Sequence, residues 1–255
     1  MEENYNTYNN KAYRFLSFEG LHKTIQSGKL RFTSPQQFND PLDNNSLITP
    51  LPWNALEKSG SSDFFENRYT SKIFNSMYIC CFSKEYDKKE SYLMWAHYGN
   101  KDHKGVAFEI DFSKIEFLGN PSSVTYDGLV KKRDEITEKI IINKGIPYDL
   151  QKEIGLFGVT YKYDVWSYEK EVRLIVDTTS PNINSNFKKS YNEKHLLVNF
   201  DLGFISKVIF GINADKENEI ITINMFQEKG LKPDYKKMRI NPISLELESV
   251  KYIKE

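Results

Sequence analysis

A chain of 255 residues, 39% hydrophobic and 14% aromatic, has enough apolar material for a sizeable core, which excludes an intrinsically disordered chain. Lys+Arg 35 against Asp+Glu 35 gives a formal net charge of +0, so the polybasic character of a general nucleic-acid binder is missing. The only cysteines, Cys80 and Cys81, are adjacent; this excludes a disulfide framework and a four-ligand zinc site, and points to a reducing, cytoplasmic setting.

The start, MEENYNTYNNKAYRF, lacks the basic segment and apolar stretch of a secretory leader. No apolar run approaches the roughly 20 residues of a membrane span, so no membrane partner is expected. Tyr13-Arg14-Phe15-Leu16 reads as a short strand. Ser17 then caps a helix carrying Leu21 and Ile25, and Gly28 ends it. Leu30-Arg31-Phe32 returns as a strand and runs into a turn-rich stretch ending in Asn39-Asp40-Pro41-Leu42-Asp43. Asp40 and Asp43 suit a hard cation, but Asn-Asp-Pro is a turn in its own right, and the turn is the preferred reading.

A polar, weakly helical region follows over 53–75. The continuous apolar run Tyr78 to Phe82 predicts a buried strand, in which a cysteine is ordinarily inert. Residues 90–98 read as a helix, and Val106, Phe108, Ile110 and Phe112 alternate as in a half-buried strand. The helical reading of 129–158 is interrupted near Gly145-Ile146-Pro147. Strands are expected at 172–176, 196–200 and 207–212, with a polar loop over 178–192. A helix over 215–228 and one or two closing strands complete the chain. The sum is a single mixed α+β domain over 1–255, with no repeat and no linker.

Chemistry concentrates in Trp166-Ser167-Tyr168-Glu169-Lys170-Glu171-Val172-Arg173. Residues two apart on an extended segment point to one side, so Glu169 and Glu171 are expected to share a cleft. There they can act as an acid/base pair or stabilise a cationic transition state at a sugar carbon. The bland alternative is a solvated strand entrance with Lys170 and Arg173 as counter-charges. Arg14 suits a phosphate or carboxylate, or merely covers apolar surface with its stem. Trp95, His97, Tyr98 and His103 cluster around a turn. A metal set of His97 and His103 with Glu109 or Asp111 matches no ligand spacing, whereas the aromatic rings can stack on a flat ligand. No phosphate loop of the G-x-x-x-x-G-K-[ST] type and no G-x-G-x-x-G is present.

The pieces "YRFLS", "GKLRFTSPQQFNDPLD", "ICCFS", "MWAHYGNKDHKGVAFEID" and "WSYEKEVRLIV" resemble a bacterial family, domain of unknown function two-nine-seven-one. They lie within about residues 1–180, leaving 181–255 to complete the sheet. The order of Arg14, helix, Gly28, a strand ending in Ser83, and Glu169-Lys170-Glu171 also looks like the ADP-ribosyltransferase fold, in its branch with an arginine, a serine and an E-x-E pair. That resemblance implies a split β-sheet core flanked by helices, NAD as the substrate, and no metal. Arg14 would hold an NAD phosphate and Ser83 the nicotinamide ribose. Glu171 would stabilise the oxocarbenium and Glu169 would orient or activate the acceptor, with Tyr98 or Trp95 stacking on nicotinamide and His97 beside them. The acceptor of ADP-ribose would be a protein, a nucleic acid or water, and the role that of a toxin or an effector in conflict with phage. The Ser-Thr-Ser triplet of that branch is absent, with Cys81-Phe82-Ser83 in its place. Two other classes remain open: a non-catalytic nucleotide- or protein-binding sensor, and a metal-dependent nuclease or hydrolase built on the histidines.

Overall fold

The computed structural model describes residues 10–38, 43, 76–115, 121–143, 147–178 and 194–253. The expected weak helix over 53–75, Asp40, and nearly all of the polar loop over 178–192 lie outside the described residues.

The described chain is mixed α and β, built on one large, mostly antiparallel ten-stranded sheet. In chain order its strands are β1 (Lys11–Leu16), β2 (Lys29–Thr33), β3 (Met77–Ser83), β4 (Val106–Asp111), β5 (Pro121–Ser123), β6 (Glu171–Asp177), β7 (His195–Asn199), β8 (Ile205–Phe210), β9 (Asp234–Ile240) and β10 (Leu247–Lys251). The helices are α1 (Phe18–Ser27), α2 (Ser91–His97), α3 (Leu129–Asn143), α4 (Tyr148–Thr160) and α5 (Lys216–Glu228). The main path runs β10-β9-β8-β4-β1-β3-β2-β7, with β6 and β5 extending from β3. Among the described strands only β8 and β9 pair in parallel, and α5 lies between them in the chain.

The local signals explain these elements. The Ser17 hydroxyl accepts the Gly20 N–H at 3.1 Å and caps α1. Gly28 ends the helix at φ 62°, in the left-handed region that glycine enters without a Cβ penalty. The helical stretch breaks between α3 and α4 around Pro147, as its sequence demands. β4 departs from the expected half-buried alternation, because both of its faces are covered. Phe108 and Ile110 face one core and Ala107 another, while Glu109 is buried through its ion pairs. The short strand β5 carries no apolar pattern and was not anticipated.

Two layers of helix cover the sheet. Phe18, Leu21 and Ile25 of α1 pack with Ile223 and Phe226 of α5 over one face, against Phe108, Phe210 and Phe32. The other face carries two smaller clusters. Met94 and Trp95 of α2 pack on Tyr13, Phe15 and Ile209. Ile136, Ile140, Ile154 and Phe157 of α3 and α4 pack on Ile79.

The ladder is uneven around β3. Along one edge β3 pairs with β6 over its whole length, from Met77↔Asp177 to Ser83↔Glu171. On its other side it meets β1 only at Tyr13↔Ser83 and β2 only at Thr33↔Ile79. Strands β1 and β2 therefore part company beside β3, and the sheet is one sheet with a wedge in it.

Candidate functional site in the sheet wedge

A cleft of about 310 Å³ occupies this wedge. Its walls come from β1 (Tyr13, Arg14, Phe15), β2 (Arg31, Thr33), β3 (Cys81, Ser83) and α2 with its following residue (Met94, Tyr98), and from Asp43, Lys162, Glu169 and Glu171. The register explains the convergence: Tyr13 stands opposite Ser83, and Ser83 opposite Glu171, in one row across three strands.

The two glutamates do share the cleft, though not as neighbours on one extended segment. Glu169 is the last residue of a 3-10 turn, Asp164–Glu169, and β6 begins at Glu171. Lys170 between them takes φ 45°, the left-handed bend that brings the two carboxylates to the same side. They are not solvated. Glu169, Glu171, Asp43, Lys162 and Arg173 form a knot of buried charge.

Arg173 grips both Glu171 oxygens at 2.9 Å, donates to Asp43 at 2.7 and 2.8 Å, and gives its last direction to the Val159 carbonyl at 2.9 Å. Lys162 lies 2.7 Å from Glu169, 3.2 Å from Asp43 and 3.6 Å from Glu171. The Tyr98 hydroxyl donates to the other Glu169 oxygen at 2.6 Å. The Tyr126 hydroxyl accepts the Glu171 backbone N–H at 2.9 Å. Asp43, read as a turn residue, is thus an anchor for two buried cations.

Three carboxylates here face two cations, and one of the three must carry the imbalance. Burial, and then the neighbouring Glu171 charge, push Glu169 up to about 7. Burial would also raise Glu171, but Arg173 and Lys162 outweigh it and hold Glu171 well below the carboxylate range. Burial would lower Lys162; Glu171, Asp43 and Glu169 outweigh it and keep the ammonium charged. One carboxylate is therefore fixed as an anion, while its neighbour exchanges a proton near neutrality. Cys81, beside Glu171, is pushed up by burial first and by that carboxylate second, which leaves its thiol unreactive.

The opposite end of the cleft is different. Arg14 reaches out of β1 across the wedge, donates to the Arg31 carbonyl at 3.0 Å, contacts the Cys80 sulfur, and lies 5.7 Å from the Phe82 ring centre. It thus ties β1 to β2 where the ladder between them is missing.

Ser83 is buried at the end of β3 and accepts the Glu85 N–H at 3.3 Å. Two expected ligand contacts lie elsewhere. Trp95 is 0% exposed, its indole N–H donates to the Tyr86 carbonyl at 2.9 Å, and its ring meets Phe15 edge-on. A core tryptophan of this kind does not line the cleft. His97 points away as well, with Nδ1 at 2.9 Å from the Tyr168 hydroxyl. The His103 ring meets Tyr92 at a tilt, with ring centres 4.3 Å apart, so the two histidines serve different neighbours. Among the described residues no group of three His, Cys, Asp or Glu side chains gathers as a metal-ligand set.

Tyr98 is positioned by the turn that follows it. Asn100, Lys101, Asp102 and His103 all have positive φ, from 51° to 60°. Asn, Asp and His are among the non-glycine residues that enter this region most readily. Gly105 closes the turn onto β1, since a Cβ there would lie 2.4 Å from the Leu16 carbonyl oxygen.

Residues 94–174 match the family described as "Protein of unknown function (DUF2971)". The matched stretch opens in α2 and ends in β6, so it holds Tyr98, Lys162, Glu169, Glu171 and Arg173. Arg14, Arg31, Asp43 and Ser83 precede it. No curated protein and no solved structure matches the chain. Among the described residues no helix is long and apolar enough to cross a membrane.

Proposed function

We propose that the cleft binds NAD and cleaves its nicotinamide–ribose bond, as an ADP-ribosyltransferase or an NAD glycohydrolase. The observation that carries this reading is convergence: Arg14, Ser83, Tyr98, Glu169 and Glu171, distant in sequence, line one cleft.

The chemistry suits the groups present. Nicotinamide leaves with the electron pair of its bond to the ribose C1′, and positive charge develops on that carbon. Ionised Glu171 favours the charge, and a fixed dipole or ion of this kind is worth most in a site that excludes water. The acceptor, a protein side chain, a nucleic acid or water, then forms the new bond at C1′ and gives up a proton. Glu169, titrating near neutrality, receives it. Tyr98 and Lys162 hold the two Glu169 oxygens in place. Arg14 takes an NAD phosphate, Ser83 stands beside the ribose, and the Tyr98 ring remains the aromatic surface for nicotinamide.

A second reading, a nucleotide-binding domain without catalysis, is favoured by one observation: Arg173 occupies both oxygens of Glu171. The two are separated by incubating purified protein with NAD and following nicotinamide release, with NAD binding measured by calorimetry. Release supports the enzyme. Binding without release, in the presence of candidate acceptors, supports the binding domain, and absence of both overturns the NAD assignment.

A further inference from the structure

Arg31 is used by none of the chemistry above, yet it lines the cleft beside Arg14. The two arginines stand on strands that the missing ladder would have joined, and Arg14 reaches the backbone of Arg31 itself. Among the described residues no carboxylate lies within ion-pair distance of either guanidinium, in contrast to the carboxylate-rich knot at the other end. Burial and then the charge of Arg14 both act to lower Arg31. His195, across β2 from Thr33 in β7, is lowered by burial and then by the Arg31 charge. This end of the cleft is therefore electropositive, and among the described residues neither arginine has a counter-ion.

Two like charges lining one cleft repel, and an anion bound between them relieves that repulsion. Guanidinium groups present paired N–H donors that match the oxygens of a phosphate. Thr33 and Gln37 line the same wall and add neutral hydrogen-bonding groups. Arg14 is already oriented by two contacts of its own, so little ordering remains when the ligand arrives.

We propose that Arg31 and Arg14 form a diphosphate-binding subsite, with Arg31 the residue that makes the cleft select a diphosphate-bearing nucleotide over the corresponding nucleoside. This rests on the cleft and not on NAD cleavage, and it holds for a catalytic or a purely binding domain alike. It also orients the ligand, with the diphosphate at the β1–β2 end and the remainder directed to Glu169 and Glu171.

The test is calorimetric titration of the full chain with inorganic pyrophosphate, ADP and adenosine, comparing wild type with Arg31→Gln and with Arg31→Lys. Arg31 is exposed, so the variants are expected to fold, and matching thermal melts establish this. The expected result is that ADP and pyrophosphate bind the wild type, weaken with added salt, and lose about tenfold in affinity or more in Arg31→Gln. Arg31→Lys should recover only part of the loss, and adenosine should bind weakly and equally to all three. Pyrophosphate that does not bind, ADP binding unchanged in Arg31→Gln, or adenosine binding as tightly as ADP would each overturn the proposal. Diphosphate binding that depends on Arg31 in a protein that releases no nicotinamide would leave the subsite standing and remove the NAD-cleaving activity.

Discussion

Glu169 and Glu171 show how two identical side chains, two residues apart, come to hold protons differently. Both are buried beside Lys162, but Arg173 is fastened to Glu171 alone. Glu171 is consequently anionic, and the cost of placing a further negative charge nearby falls on Glu169. The sign of the pH dependence follows. An unfolded Glu169 titrates at 4.5 and the folded one at about 7. Between those values the folded protein keeps a proton that the unfolded chain has released. Its contribution to stability is thus full below 4.5 and is lost as the pH rises through about 7. Glu171 has the opposite sign: its contribution is present above 4.5 and is lost as the pH falls through its lowered folded value. Urea denaturation of wild type and Glu169→Gln from about pH 5 to about pH 8 reads the first effect directly. The wild type should lose stability relative to the variant as the pH rises, and parallel curves would contradict the assignment.

Helix α1 connects the two strands that carry Arg14 and Arg31. Its ends are set by Ser17 and by Gly28 at φ 62°. Gly28→Ala forces a Cβ into the left-handed region and should cost about 1 kcal/mol of stability, measured by chemical denaturation. No loss would mean that the chain leaves α1 by another path. These boundaries were readable in the sequence because capping residues act locally. So were the apolar run of β3 and the break between α3 and α4. The joint at Lys170 was not: a lysine at φ 45° leaves no mark in composition, and both carboxylates line one cleft through a left-handed bend instead of the expected extended segment. Trp95 departs from its expected place for a related reason. An aromatic residue next to polar ones suggests a ligand contact, but at its helical position it points into the core formed with Phe15.

Across the sheet, the candidate site lies where regular pairing fails. Strand β3 is fully paired to β6, yet meets β1 and β2 by one residue pair each, and the cleft fills the space between. Nothing local in the sequence announces such a wedge, because it depends on how strands far apart in the chain meet. For the same reason the sequence suggests a turn or cation ligand for Asp43 and nothing for Arg31 or Lys162: Arg31 sits inside an apolar strand, Lys162 between two tyrosines, and only the fold brings the three to Arg14, Arg173 and Glu169. The acidic pair was legible because two carboxylates at the mouth of an apolar strand are conspicuous. Their counter-ions were legible only in part, since Arg173 stands on that strand and Lys162 does not.

Nicotinamide release from NAD by wild type and by Glu171→Gln, with calorimetry confirming that both still bind NAD, tests the proposed role of Glu171. If ionised Glu171 stabilises the positive charge at C1′, release should fall by roughly 100-fold or more while binding changes little. Release that is unchanged in Glu171→Gln would contradict that role and leave the carboxylate as an ion-pair partner of Arg173 and Lys162.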